Sequence, residues 1–354
     1  MTRVGTREEE QRRPSGAARA RRPRAYLIGA LAATLLPACS LCWPRGGPIQ
    51  TCPADDDDTR DDDDTRDDDD AGDDDDVSDD DDAVDDDDVV VDPCEGAPTE
   101  LAVGTATLTV VCVPGDTFVM GSPNSEDGRS QDEDQFTVQL TRTLLVSIHE
   151  TTQLLYFQGS GGLAPTDCTY GCGDHKPVAR TNWDAAVAFA NNLSDLHGLA
   201  RAHDGDEEPT LDLDADGWRL PTEAEWEYLA RGGAIGELYS GSSVLEDVAN
   251  CVGPNPDFYE FREVGFHAPN GFGLYDMSGN AEEWVWDRYG DYPDGTVTDP
   301  EGPSFGDGRV FRGGSFSSSP SSCRSADRAS GFRGRVDWDL GFRLVRTWTG
   351  GDED

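Results

Sequence analysis

The feature that most constrains folding is a strict six-residue repeat over residues 55–88. Six blocks of four aspartates alternate with the pairs Thr-Arg, Thr-Arg, Ala-Gly, Val-Ser and Ala-Val, and the repeat supplies half of the formal net charge of −44. Like charges at this density repel one another, and too few apolar side chains are present to offset the entropy of ordering the segment. We therefore predict a disordered acidic stalk over residues 39–93.

The rest of the chain, residues 94–350, is long enough for one large domain or two small ones. It is rich in Gly, Trp and short turn dipeptides, a composition that favours an α+β domain with many loops over a helix bundle. The acidic balance argues against a nucleic-acid partner, because no basic stripe is present to neutralise phosphates. The same balance is compatible with calcium and with an extracellular setting.

The N-terminus has the pattern of an export signal. A basic segment, 19–24, precedes a short apolar run, 25–36, that is too short to span a bilayer comfortably. The sequence Leu-Pro-Ala-Cys that ends at Cys39 resembles a bacterial lipobox, in which the cysteine receives the lipid. We predict a signal peptide over residues 1–38 and an exported protein at the outer membrane or cell surface, held by the lipid on Cys39 alone. Plain secretion is the alternative.

Nine cysteines in an exported chain favour disulfides over free thiols, and eight remain for pairing if Cys39 carries the lipid. Cys94 and Cys112 flank a segment of alternating apolar residues and could close the entrance to the domain. For Cys168 and Cys172 we favour a disulfide over half of a zinc site, because His175 is the only further ligand nearby.

Periodicity predicts two helices and several strands. The helix over residues 182–193 is amphipathic and can be capped by Thr181 or Asn182. A second helix, over residues 221–233, has Thr222 and Glu225 in the arrangement of a capping box. Alternating segments predict strands at 105–111, 113–122 and 136–141, and a strand that turns into a helix start at 144–153.

For two groups of side chains we predict a role in stabilising the fold and not in catalysis or binding. The tryptophans are expected in the core, namely Trp183, Trp218, Trp226, Trp284, Trp286 and Trp338. Five arginines are expected to form surface ion pairs of about 0–1 kcal/mol each, namely Arg312, Arg324, Arg328, Arg343 and Arg346.

Four segments resemble, in order, the motifs of the sulfatase-modifying (formylglycine-generating enzyme) family. They are Gly-Trp-Arg-Leu-Pro-Thr-Glu-Ala-Glu-Trp-Glu-Tyr-Leu-Ala-Arg-Gly-Gly at 217–233, Asn-Gly-Phe-Gly-Leu-Tyr-Asp-Met-Ser-Gly-Asn-Ala-Glu-Glu-Trp at 270–284, Arg-Gly-Gly-Ser-Phe at 312–316 and Leu-Gly-Phe-Arg-Leu-Val-Arg at 340–346. The resemblance implies one domain with an irregular, lectin-like α+β fold and little regular secondary structure.

The resemblance also implies a catalytic position. Active members oxidise a cysteine of a client sulfatase to formylglycine with oxygen and copper(I), which two cysteines hold because soft thiolates select this ion. Those two positions correspond to Ser318 and Cys323 here. Because a hydroxyl cannot replace a thiolate, we predict that copper is not bound and that the oxidation is lost. Cys323 is then interpreted as a disulfide partner or a small buried residue.

The family's calcium site is the second functional expectation. It combines carboxylates with backbone carbonyls, the hard oxygen ligands that calcium prefers, and it corresponds to Asp276, Gly279, Ala281 and Glu283. The alternative is that the two carboxylates only cap turns. A second calcium site would use Asn250, but its acidic half is missing.

We therefore predict a binding or scaffolding module that accepts a peptide or protein client. One alternative is an active copper-dependent oxidase with another thiol pair, such as Cys323 with Cys251 or with a cysteine of 168–172. A second alternative is a calcium-dependent carbohydrate-binding module. Iron(II) chemistry, known in the wider group, is not expected, because the five histidines lack the spacing of a facial triad.

Overall fold

A computed structural model describes residues 92–350, except 164–168, 206–207, 235 and 252–259. The signal peptide, Cys39, the acidic repeat and Cys168 lie outside the described residues, so the predictions on them stay predictions. Within the described ranges, no helix has both the length and the apolar character needed to cross a membrane.

Four α-helices and one short 3₁₀ helix lie in the described residues. They are α1 (Gln153–Gly159), α2 (Trp183–His197), α3 (Glu223–Arg231), α4 (Leu245–Val248) and the 3₁₀ turn Pro320–Cys323. The side chain of Asn182 caps α2 by accepting the Ala185 N–H at 2.8 Å. Thr222 and Glu225 form the predicted capping box of α3, which ends at Gly232 in a left-handed conformation. Both predicted helices are confirmed.

The strands form four small sheets. They are β1 (Glu100–Val103), β2 (Ala106–Val113), β3 (Thr117–Met120), β4 (Phe136–Gln139), β5 (Leu144–Ser147), β6 (His203–Asp204), β7 (Thr210–Leu211), β8 (Glu282–Arg288), β9 (Thr296–Thr298), β10 (Gly308–Arg312), β11 (Arg328–Phe332), β12 (Leu340–Phe342) and β13 (Val345–Thr347). The sheet orders are β1-β2-β5-β13, β11-β10-β8-β12, β3-β4-β9 and β6-β7. Small sheets joined by loops are the irregular α+β fold that was predicted.

The predicted strand over 113–122 is shorter in the structure. It is divided between the end of β2 and β3, with Pro114 and Gly115 between them. Proline has no backbone N–H to donate to a ladder, and a Cβ on Gly115 would lie 2.5 Å from the Leu140 carbonyl oxygen. The chain therefore turns closely over β4 at this point.

The core consists of two apolar clusters on either side of the β8–β10 sheet. Trp183, Trp218 and Trp284 belong to the first and Trp226 to the second, all fully buried. Trp286 is also buried, so these five tryptophans are core residues as predicted. The prediction was wrong for Trp338, which is 36% exposed.

The prediction of surface ion pairs for the five arginines was also wrong, because all five are buried. Four of them form ion pairs inside the domain: Arg312 with Glu227, Arg324 with Glu133, Arg328 with Glu223 and Arg343 with Glu283. Their guanidinium groups also donate to loop carbonyls, as Arg312 does to Ala326 and Ser325. A fold rich in loops leaves many carbonyls outside ladders, and a buried arginine supplies the donors they need.

Disulfides link distant parts of the chain. Cys94 and Cys112 are bonded to each other as predicted. Cys251 is bonded to Cys323, a pairing that the sequence left open. Cys172 is disulfide-bonded as well, so it has no free thiolate for the zinc alternative.

Candidate functional site

The site begins where β10 ends in a double-glycine turn. Gly313 and Gly314 both have positive φ angles, 88° and 64°. A Cβ on Gly314 would lie 2.6 Å from the Ser322 carbonyl oxygen. The loop therefore folds back on itself and brings the segment with Ser318 and the 3₁₀ turn with Cys323 into one compact unit.

Ser318 belongs to a network of hydroxyl groups. Its Oγ accepts the Ser315 N–H at 3.0 Å and lies 3.2 Å from the Ser315 Oγ. Ser315 and Ser317 in turn donate to one oxygen of Asp339, at 2.6 and 2.9 Å. The hydroxyl group at the position that the family resemblance assigns to a thiol is therefore held by its own loop.

Cys323 is completely buried and is bonded to Cys251, 72 residues earlier in the chain. Tyr239, Val248 and Ala249 surround it. The interpretation of Cys323 as a disulfide partner is confirmed. Two-coordinate copper(I) needs two thiolates, whereas this site has one hydroxyl and one sulfur in a disulfide. The residues present therefore do not fit a copper(I) site.

An aromatic cluster lies beside the serine network. The rings of Tyr170 and Trp338 are 4.4 Å apart, and Phe316 lies 5.3 Å from Trp338 and 4.8 Å from Phe261. Trp338 is partly exposed and adjoins Asp339 in the sequence, so an aromatic surface lies next to hydroxyl and carboxylate groups. We call Tyr170, Phe316, Trp338, Ser317 and Asp339 the aromatic–serine face.

Beneath this face lies a carboxyl group with an unusual pKa. Burial, and then repulsion by Asp339, raises the pKa of Glu282 to about 8. Its backbone N–H donates to the Asp339 carbonyl at 2.9 Å. Sequence reasoning missed Asp339 and Glu282. Glu282 lies within the motif at 270–284 and Asp339 directly precedes the motif at 340–346, which was the one available signal.

The predicted calcium ligands occur together, but Glu283 already has partners. Both its oxygens accept from Arg343, at 2.7 to 2.9 Å, and Trp226 Nε1 donates to it at 2.6 Å. Asp276 has a positive φ of 57° and accepts the Gly265 N–H at 2.6 Å. The turn with Gly279 and Ala281 joins these two carboxylates.

Sequence reasoning missed a third carboxylate at this place, Glu150. It is buried and accepts from Asn280 Nδ2 at 2.6 Å and from the Ala281 N–H at 2.7 Å. Burial, then the charges of Asp276 and Glu283, raises its pKa well above the usual range. Burial also raises the pKa of Asp276 to about 6. One guanidinium, that of Arg343, therefore faces three carboxyl groups.

The described residues contain no group of three or more His, Cys, Asp or Glu side chains arranged to hold a metal ion. Calcium binding by Asp276, Gly279, Ala281 and Glu283 stays a prediction. Asn250, the residue of the second site, uses its side-chain amide to donate to Asn280 Oδ1 at 3.1 Å. It thereby holds the turn of the first site in place.

Comparison with known proteins points to one family. A model of the sulfatase-modifying factor enzyme 1-like domain matches residues 99–348. The formylglycine-generating enzyme of Streptomyces coelicolor is 37% identical over 186 residues, which cover 48% of this chain and 52% of that enzyme. The enzyme of Bos taurus is 36% identical over 188 residues, covering 49% and 44%. The chain thus spans about half the length of these curated relatives.

A solved structure has the same fold over almost its whole length. The Treponema denticola variable protein 1 superimposes with a TM-score of 0.63 and is 30% identical, covering 70% of this chain and 98% of that protein. This similarity confirms the predicted fold class.

Proposed function

The chain belongs to the sulfatase-modifying factor enzyme 1-like family, and from that premise we propose that its domain is a binding or scaffolding module without copper-dependent oxidation. The observation that carries this proposal is the disulfide between Cys251 and Cys323, together with the hydroxyl of Ser318. A sulfur in a disulfide has no thiolate to offer a metal, and a hydroxyl is a hard ligand. The fold is retained, while the soft ligands are not.

The aromatic–serine face is the proposed binding surface, and a peptide segment of a client protein is the proposed ligand. Aromatic side chains provide contact area at a low cost in conformational entropy. The half-buried hydroxyl of Ser317, which donates to the buried carboxylate of Asp339, provides a polar group beside them. A few polar groups among apolar ones are typical of ligand sites.

Carbohydrate binding is a second candidate, which the same face favours. A partly exposed indole, that of Trp338, lies next to a carboxylate that accepts two hydroxyl donors. Sugars present apolar ring faces and hydroxyl groups, so such a pairing suits them as well. Substituting Trp338→Ala and comparing a client peptide with a glycan array distinguishes the two ligand classes.

We also propose a location for the domain and a calcium site within it. The signal peptide, the lipid on Cys39 and the acidic stalk would hold the domain away from the outer membrane or cell surface. Calcium at Asp276 and Glu283 is supported by the convergence of three buried carboxyl groups, those of Glu150, Asp276 and Glu283, on the one guanidinium of Arg343, because a cation would favour their charged forms.

The experiment uses the full chain and two variants, Ser318→Cys and the double variant Ser318→Cys/Cys251→Ser. The double variant frees Cys323 and restores two thiols. Each protein is titrated with copper(I), then incubated with oxygen, a thiol reductant and a Cys-X-Pro-X-Arg peptide. Trapping with hydroxylamine and mass spectrometry report the aldehyde.

We expect neither tight copper(I) binding nor aldehyde from the wild type, and copper binding by the double variant. An active formylglycine-generating enzyme is the positive control for the assay. Aldehyde formed by the wild type would overturn the proposal in favour of the oxidase with another thiol pair.

A further inference from the structure

Strand β3 has an open edge. It lies at the end of the sheet β3-β4-β9, and among the described strands it pairs with β4 alone. In β4, Thr137 N donates to Gly295 O and Gln139 O accepts from Asp299 N, so both residues turn their backbone groups toward β9. In an antiparallel pair of strands, two opposed residues either exchange backbone hydrogen bonds with each other or both direct their backbone N–H and C=O away from the partner strand. Val119, opposite Thr137, therefore directs its N–H and C=O to the open edge.

A groove with a volume of about 760 Å³ runs beside this edge. Thr117, Val119, Glu237 and Leu238 are among the residues that line it. Val119 is 49% exposed, so its backbone can be reached from solvent. The groove can therefore admit a chain segment alongside β3.

The groove has an aromatic floor. The rings of Phe118 and Tyr228 are 5.4 Å apart, and those of Tyr228 and Phe272 are 5.2 Å apart. Tyr228 is held by a hydrogen bond from its OH to the Pro114 carbonyl at 3.0 Å. Side chains that alternate along an added strand would point toward this floor at every second position.

The charges around the groove select the partner. Asp116, Glu126 and Glu237 line it, together with the guanidinium of Arg231. Two of these four charges are already paired, Glu126 with Arg324 at 2.6 Å and Arg231 with Glu227 at 2.6 Å. Among the described residues, Asp116 and Glu237 are the lining charges without an ion pair, so the charge that faces an incoming segment is negative and complements lysine or arginine side chains.

We propose that this groove binds an extended, basic peptide segment of a partner protein, which adds as a strand to the edge of β3. Main-chain hydrogen bonds to Val119 would provide affinity, and the aromatic floor and the carboxylates would select apolar and basic side chains in alternation. The groove involves none of the residues of the aromatic–serine face, so this proposal does not depend on the proposed function.

Two sets of variants test the proposal in the full chain. Val119→Pro removes the outward N–H, a change that an edge strand can tolerate. The double variant Asp116→Asn/Glu237→Gln removes two charges and keeps the acceptor oxygens that serve Thr117 N and Ser243 Oγ. The matched control, Glu95→Gln/Glu100→Gln, removes two exposed charges outside the groove.

The probe is a fluorescein-labelled hexapeptide of alternating valine and lysine, compared with one of alternating valine and glutamate. Binding is measured by fluorescence anisotropy at physiological ionic strength, and the acidic repeat, which every variant carries, contributes equally to each measurement. We expect the lysine peptide to bind and both groove variants to lose at least about tenfold in affinity. Hydrogen exchange should slow at the Val119 amide when the peptide is bound.

Three results would overturn the proposal. The glutamate peptide could bind equally well, the control variant could lose as much affinity as the groove double variant, or exchange could slow elsewhere and not at Val119. A dimer that forms with increasing concentration and is lost in Val119→Pro would assign the edge to a second copy instead. Because the charge variant keeps the backbone intact, the test holds even if Val119→Pro fails to fold.

Discussion

Cys323 is bonded to Cys251, so the loop that follows the double-glycine turn is tied to a segment 72 residues earlier. Gly279 lies under this link, since a Cβ there would be 2.7 Å from the Cys251 sulfur. The disulfide therefore connects the serine network to the turn that bears the predicted calcium ligands. In this chain the sulfur of Cys323 has a structural role.

Removing the Cys251–Cys323 link is expected to destabilise the domain. Cys251→Ser and Cys323→Ser should each lower the free energy of unfolding by about 2–5 kcal/mol, as measured by urea denaturation without reductant. The double variant should cost no more than either single one, because both remove the same bond. Additive losses would show that the two thiols are not bonded.

The ion pair between Arg324 and Glu133 can be used to measure how much a buried pair contributes to stability. Arg324 bonds Glu133 at 2.6 Å and both side chains are fully buried. Burial alone would raise the pKa of Glu133, but Arg324 and Ser122 lower it. Arg324→Met leaves a buried charge without a partner and should cost about 3–5 kcal/mol. Adding Glu133→Gln should recover part of that loss.

The control for this prediction is Arg201→Met. Arg201 pairs with Asp195 at the surface, where both side chains are about half exposed, so no resolvable change in stability is expected. Equal losses for the Arg324 and Arg201 variants would contradict the distinction between buried and exposed pairs.

The buried side chain of His203 is expected to make the domain less stable in mild acid. Burial, and then the charges of Arg219 and Arg309, lowers its pKa to about 3. Its ring is stacked on Trp286. The unfolded histidine has a pKa near 6.5, so stability is complete above that pH. Below that pH the histidine of the unfolded state binds a proton and that of the folded state does not. The free energy of unfolding therefore falls by up to about 1.4 kcal/mol per pH unit.

The measurement is the free energy of unfolding of wild type and His203→Phe between pH 7 and 4. Phenylalanine keeps the stacked ring and does not titrate, so the variant should lose less stability in acid. His175→Gln, a change at an exposed histidine, should follow the wild type. Parallel curves for all three proteins would show that His203 does not cause the acid sensitivity.

Calcium is expected to stabilise the domain through Asp276. A ligand that binds only the folded state adds about 2.7 kcal/mol at a hundredfold excess over Kd, which thermal melts with calcium or chelator can measure. Asp276→Ala should remove most of this gain, whereas Asp174→Asn, at an exposed position, should keep it. A wild-type melting curve that chelator does not move would mean that these residues only form a turn.

Lipidation is expected at Cys39. In a bacterial host fed with a fatty-acid probe, the wild-type chain should be labelled and Cys39→Ala should not, because the thiol is the acceptor. Cys42→Ala is the matched control and should be labelled. Labelling of Cys39→Ala, or of none of the proteins, would remove the anchor from the proposal.

Local features could be predicted from the sequence by itself. The start of α2 and both ends of α3 follow from Asn182, Thr222 and Gly232, because a cap is formed by residues a few positions apart. The end of α2 does not, since the helix continues to His197, beyond the predicted 193. The motif order over 217–346 was sufficient to identify the family and hence the fold class. The same motifs placed the copper positions that the family resemblance implies at Ser318 and Cys323.

The tertiary structure decided what depends on residues far apart in the chain. The partner of Cys323, the third carboxylate Glu150 and the exposure of Trp338 are settled by loops that converge from distant segments. The same applies to the open edge of β3, since a strand's own residues do not specify which side is left without a partner. In a fold with small sheets and long loops, such contacts are set by packing between segments, which no local pattern encodes.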